Sequence, residues 1–153
     1  MNIIIALAAF GTAAAAGYLY GRRFYERERF FADAATLCDM LVCEIGYTNE
    51  PIAALLGKAC GTVGHALGGV IDGYIAGEEI KCPGILKPDD FSSVDRLFSL
   101  LGKSDAVGQA EGIACVKTAL VRKLEEARAE KPKYNLYTRL GILGGLALAI
   151  LII

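Results

Sequence analysis

The chain has one histidine, His65, five residues after Cys60. This pair is its nearest approach to a metal or nucleophile site. Two donors do not close a zinc site, which takes three or four protein ligands. A Cys–His nucleophile also needs a group that orients the imidazole and surroundings that favour the thiolate, and neither is marked here. Gly102-Lys103-Ser104 matches the end of a phosphate-binding loop. That motif requires a glycine five positions earlier, where Leu97 stands, and a preceding strand, where the apolar spacing is helical. A helix stop followed by a new cap accounts for it. Asp89, Asp90 and Asp95 lie close in sequence, yet Asp89 or Asp90 is better used to cap a helix, and Glu78-Glu79 belongs to a solvated loop. No catalytic set, cofactor cradle or metal-ligand set emerges. The residues predict a binding or scaffolding protein, not an enzyme, with no cofactor.

What would position such a protein is its apolar ends. Residues 1–21 and 140–153 contain no Asp, Glu, Lys, Arg or His, so all charged side chains fall between Arg22 and Arg139. About 20 apolar residues cross a bilayer core as a helix, and Asn2–Tyr20 meets that length. The fourteen residues after Arg139, LGILGGLALAILII, are shorter. Counting from Leu136, with Arg139 snorkelling and Tyr134 and Tyr137 at headgroup level, nearly completes a second span. A cleaved signal peptide would carry its basic residues before the apolar run, whereas Arg22-Arg23 follows it. The expected division is a transmembrane helix over 1–21, a cytoplasmic helical bundle over 22–135 and a second transmembrane helix over 136–153.

The charges support this orientation. Four of the sixteen Lys and Arg residues lie in Arg22–Arg29 and seven in Lys117–Arg139. These flanks, including Arg22, Arg23, Lys131, Lys133 and Arg139, suit the anionic lipid headgroups of a cytoplasmic leaflet. Between Phe30 and Ala110 the balance reverses to eleven acids against five bases. A net charge of −1 conceals this polarity and argues against nucleic-acid binding. The five cysteines include no C-x-x-C and fit no zinc framework. They read as free, small, buried hydrophobes in a reducing compartment.

Along the chain, Ala34, Leu37, Cys38, Leu41, Val42 and Ile45 recur at three- and four-residue steps. They predict one long helix out of the membrane, ended by Gly46. Thr48-Asn49-Glu50-Pro51 reads as a helix start carrying Leu55 and Leu56. Val63–Ala76 reads as a helix whose glycines at 64, 68, 69 and 73 call for a closely packed neighbour. A loop with two prolines follows. Then come a helix with Phe91, Val94, Leu97, Phe98 and Leu101 on one face, and a last one, capped by Ser104 or Asp105, with Ile113, Val116, Leu120, Leu124 and Ala127. Pro132 must kink or break it. No strand-like alternation occurs. The fold class expected is all-α, a bundle of about five or six helices between two terminal transmembrane helices. Gly17 and Gly21, and Gly141 and Gly145, each place two small residues on one helix face and could pack the spans together.

Several ordered segments resemble a known family. They are an N-terminal span ending in basic residues, Leu41-Val42-Cys43-Glu44-Ile45-Gly46-Tyr47 followed by Pro51, Leu101-Gly102-Lys103-Ser104-Asp105 with Gln109, and Arg139-Leu140-Gly141-Ile142-Leu143-Gly144-Gly145-Leu146. In order and over nearly the whole chain, they are similar to the stage III sporulation protein AB family of endospore-forming Firmicutes. The resemblance implies a membrane protein of the mother cell, in the membrane around the forespore, within an assembly that connects the two compartments. It implies likeness to the cytoplasmic domains of the inner-membrane platform protein F of type II secretion and type IV pilus machines. The implied partners are a cytosolic secretion-type ATPase, stage III sporulation protein AA, and other membrane proteins of the same complex.

The resulting expectation is a non-enzymatic platform protein with both termini outside, whose acidic lobe meets the ATPase. Glu44, Asp105 and Gln109 are its contact candidates, and Asp105 serves equally well as a helix cap. Self-association through the glycine-rich helix is left open. A small transport or channel subunit is the alternative. It would call for polar groups within the spans, which hold essentially none beyond Asn2 and Thr12.

Overall fold

The computed structural model describes residues 2–47 and 50–152. Among them there are six helices and no strand: α1 (Asn2–Tyr47), α2 (Ile52–Cys60), α3 (His65–Ile75), α4 (Pro88–Leu100), α5 (Ala106–Glu130) and α6 (Pro132–Ile152). The chain divides into two compact units. One comprises Met1–Glu28 with Ala127–Ile153, and the other Arg29–Glu126.

The first unit pairs the N-terminal part of α1 with α6. Each lies in a stretch long and apolar enough to cross a membrane by length and composition. Only 6% of either apolar window is buried, so these helices do not have the enclosed surface of a soluble core. Ile4, Leu7, Leu143 and Leu151 are exposed. The glycines explain the pairing. A Cβ built on Gly17 would stand 2.9 Å from Gly141 Cα, one on Gly21 would stand 2.9 Å from the Tyr134 ring, and one on Gly145 would stand 3.0 Å from the Phe10 ring. Residues rising in number along α1 thus meet residues falling in number along α6, which makes the pair antiparallel. Tyr20, Phe24 and Tyr137 close the charged end of the pair, with Phe24 and Tyr137 stacked at 5.6 Å between ring centroids.

The second unit is built on apolar stripes. Leu37, Cys38 and Leu41 of α1, Leu55 and Leu56 of α2, Leu67 and Ile71 of α3, Val94, Leu97 and Phe98 of α4, and Ile113, Val116 and Leu120 of α5 are all buried. Each large apolar side chain removed from water contributes roughly 2 kcal/mol. Phe30 and Phe31, also fully buried and edge-on to each other, extend this core further along α1 than the stripe from Ala34 indicated. Tyr74 of α3 packs on Phe98 of α4 at 5.1 Å.

Helix ends depart from expectation in instructive ways. α1 continues through Gly46 to Tyr47, and the expected caps Thr48 and Asn49 lie outside the described residues. Pro51 occupies the cap position of α2 and not its first turn. α3 begins at His65, two residues late, because Gly64 is its cap. The Gly64 N–H donates to Asp33 Oδ2 of α1 at 2.8 Å, so a carboxylate from another helix serves the start of α3. Asp89 and Asp90 do not cap α4. Pro88 takes the first helical position, which moves the cap to Lys87, whose side chain makes no capping bond. Pro132 breaks the last helix instead of kinking it, ending α5 at Glu130 and opening α6. Gly77, at φ +72°, ends α3 with paired bonds from Gly77 N–H to Tyr74 C=O and from Glu78 N–H to Gly73 C=O.

Two packing expectations are corrected. The cap Gly64 is closely approached by Asp33 and Gly68 is in ordinary contact with Cys60, but a Cβ on Gly69 or Gly73 would meet nothing within 4 Å, so two of the three glycines within α3 face open space. Of the cysteines only Cys38 is buried, while Cys43, Cys82 and Cys115 are exposed. Burial, and secondarily Asp39, push the Cys38 thiol up to about 12. At pH 8 in the folded chain, Cys38 is expected to resist maleimide while Cys43, Cys82 and Cys115 react, and guanidinium should release it. Because the folded value exceeds the ordinary 9.0, this thiol's contribution to stability is complete below pH 9 and declines as pH rises beyond it. Equal alkylation rates for Cys38 and Cys43 in the folded protein would contradict this placement.

Candidate functional site

At the turn between α4 and α5, Gly102 adopts φ +76°, a conformation that favours glycine. Asp105 Oδ1 accepts the Gly108 N–H at 3.1 Å and so caps α5. The Gln109 side chain bonds in both senses: its Nε2 donates to Ser104 C=O at 2.7 Å, and its Oε1 accepts the Gly102 N–H at 3.2 Å. The spacing Gly102, Asp105, Gln109 therefore has a local reason. Left-handed backbone reverses the chain, the aspartate starts the next helix, and the glutamine satisfies backbone groups that neither helix can reach. Lys103 is exposed in this turn. The geometry is a self-bonded corner, not a phosphate cradle.

A model of the stage III sporulation protein AB family matches residues 75–153. The chain belongs to that family. The match takes in the corner at 101–109 and the apolar run of α6, and Glu44 with its surrounding segment lies outside it. Membership in a stage III sporulation family follows for the chain as a whole. No curated protein and no solved structure matches it.

Glu44 is half-buried in the last turns of α1. Its charge helps hold the Lys58 ammonium above the ordinary lysine value, an effect dominated by the hydrogen bond from Lys58 to Glu50 at 2.6 Å. The corner approaches the same helix, α2, where a Cβ on Gly102 would stand 3.8 Å from Ile52 Cδ1. The Asp105–Gln109 corner, distant from it in sequence, is thus a neighbour of the start of this nine-residue helix, while Glu44 acts on Lys58 near its end through charge. That juxtaposition could not be read from the chain.

The basic residues flanking the apolar helices are mostly engaged. Arg22 pairs with Glu26 at 2.7 Å, Lys131 with Glu28 at 2.7 Å and Lys133 with Glu130 at 3.2 Å. Lys131 also lies over the Tyr25 ring at 5.0 Å. Arg23 and Arg139 are exposed. Sequence reasoning missed Arg27, which is 5% exposed and bonded to Glu130. A separation of 103 residues hides such a pair.

Charge is divided between the units. The unit with the apolar pair has seven Lys and Arg against three Glu, and the other has nine against fourteen Asp and Glu. Elsewhere the titratable groups serve packing. The Cys60 thiol donates to Asp72 at 3.2 Å, which raises its pKa and makes it a poorer nucleophile. His65 is exposed. Among the described residues no three His, Cys, Asp or Glu side chains converge on a metal position.

Proposed function

We propose that this protein is a non-enzymatic platform of the stage III sporulation assembly, held in the mother-cell membrane around the forespore. In this reading α6 and the N-terminal part of α1 span the bilayer with both termini outside. The unit Arg29–Glu126 stands in the cytoplasm and docks the secretion-type ATPase, stage III sporulation protein AA, beside other membrane proteins of the complex. The observation that supports it best is the division of charge. A basic unit carrying the apolar helices suits an anionic leaflet, and an acid-rich unit suits a basic face on a soluble motor. Glu44 would contact the ATPase directly, while Asp105 and Gln109 would hold the corner between α4 and α5.

The test is recruitment of the purified ATPase to membrane vesicles carrying the full chain. Inverted vesicles are expected to bind it and right-side-out vesicles are not. Glu44→Lys should weaken binding about tenfold, as expected for reversing one charge at an interface rim, with thermal unfolding measured alongside to show that the variant is folded. Recruitment to right-side-out vesicles would reverse the topology. Undiminished recruitment by a folded Glu44→Lys variant would remove this docking surface.

A further inference from the structure

Two adjoining hollows lie on the α4–α5 surface, of about 360 and 370 Å³, and they share the exposed Cys115. Arg96 lines the first and Arg122 the second, with Ser93, Thr118 and Val116 on their walls. The acid-rich unit ties up Arg29, Lys58, Lys117 and Lys123 in ion pairs. Among the described residues neither Arg96 nor Arg122 has a carboxylate within 4.0 Å. Two guanidiniums without an acid, in a unit where acids outnumber bases, form a local positive groove on a negative body.

We infer that this groove is a docking surface for an acidic, Asp/Glu-rich segment of a partner protein. Guanidinium binds carboxylate through two parallel N–H bonds and surrenders its hydration more readily than an ammonium does. Ala119 offers apolar wall for the stems of the incoming acids. A long polyanion such as nucleic acid is disfavoured, because the surrounding excess of carboxylates repels it beyond the groove. A short segment escapes that repulsion. The surface is opposite in sign to the one assigned above to the ATPase, so it would take a different contact.

Cys115 makes the inference measurable. The full-length protein in detergent micelles is treated with maleimide, and alkylation of Cys115 and Cys43 is followed by mass spectrometry, with and without a short acetylated glutamate-rich peptide. The peptide is expected to slow Cys115 and leave Cys43 unchanged, while a lysine-rich peptide of equal length slows neither. In Arg96→Gln/Arg122→Gln the half-protecting peptide concentration should rise about tenfold, because two solvent-accessible charge pairs with the peptide are removed together. The single variants supply the same comparison if the double variant does not fold. Absence of protection, equal protection by the lysine peptide, or protection unaltered in the variants would overturn the inference. So would protection by inorganic polyphosphate but not by the peptide, which would make the groove a phosphate site.

Discussion

Replacing Gly141 with isoleucine is expected to part α6 from α1, whereas the same change at Gly144, three residues on, should leave them packed. A Cβ at 141 would lie 2.9 Å from Gly17 Cα and 3.0 Å from the Ala13 carbonyl oxygen. Both are backbone atoms, so no rotamer change relieves the clash and the helices must move apart. At Gly144 nothing lies within 4 Å. Separation is costly in lipid, where close van der Waals contact between helices replaces the hydrophobic drive available in water. Overpacking of this kind costs about 3 kcal/mol, which shifts a paired-to-parted ratio roughly a hundredfold. The readout is oxidative cross-linking of Tyr20→Cys to Tyr137→Cys, whose native rings lie 4.9 Å apart, in a chain stripped of its own cysteines. Rapid cross-linking should survive Gly144→Ile and collapse with Gly141→Ile. If the two changes act alike, the glycine register is wrong.

The second large effect is expected at Asp90. This carboxylate is 2% exposed, and Lys123 of α5 reaches it at 3.2 Å. Removing one member of a buried pair leaves the other desolvated, at a cost of about 3–5 kcal/mol. Lys123 is one-fifth exposed and keeps Glu126 at 3.2 Å, so Asp90→Ala should sit lower, at roughly 2–3 kcal/mol, or about 10 °C in Tm. Asp90→Leu combined with Lys123→Met should recover much of the loss, since an apolar pair of similar volume incurs no desolvation. Hydrogen bonds to Asp90 and Glu126 raise the Lys123 pKa above its ordinary 10.5. A raised folded value means the contribution is complete below pH 10.5 and is lost only as pH climbs through the folded value. The difference between wild type and Asp90→Ala should therefore hold across neutral pH and narrow in strong alkali. A variant as stable as wild type would show that the pair does not support α4 on α5.

Much of the fold was legible because periodicity is local. The stripes of α4 and α5 are buried as the three- and four-residue spacing required, except for the half-buried Phe91 at the start of α4, and Asp105 caps α5 as the short polar side chain before an apolar run suggested. The breaks at Gly102 and Pro132 follow from backbone chemistry alone. The long-range polar contacts were not legible. Asp33 reads as one more solvent-facing acid of α1 until Gly64 is seen against it. Asp90 reads as a cap until Lys123 is seen. The open positions at Gly69 and Gly73 of α3 escape the sequence for a related reason: glycine content reports that a backbone can be approached, not that anything approaches it.

The amino-acid order by itself determined the all-helical class, two helices apolar enough for a bilayer, the segregation of charge and the family. Each depends on what stands within a few positions along the chain. Only the tertiary structure decided that Gly17 meets Gly141, that the Gly102 corner lies against Ile52 of α2, and that Arg96 and Arg122 are left without acids. These are pairings between distant segments. They are set by how several amphipathic faces are buried at once, and no single face encodes which neighbour it will meet.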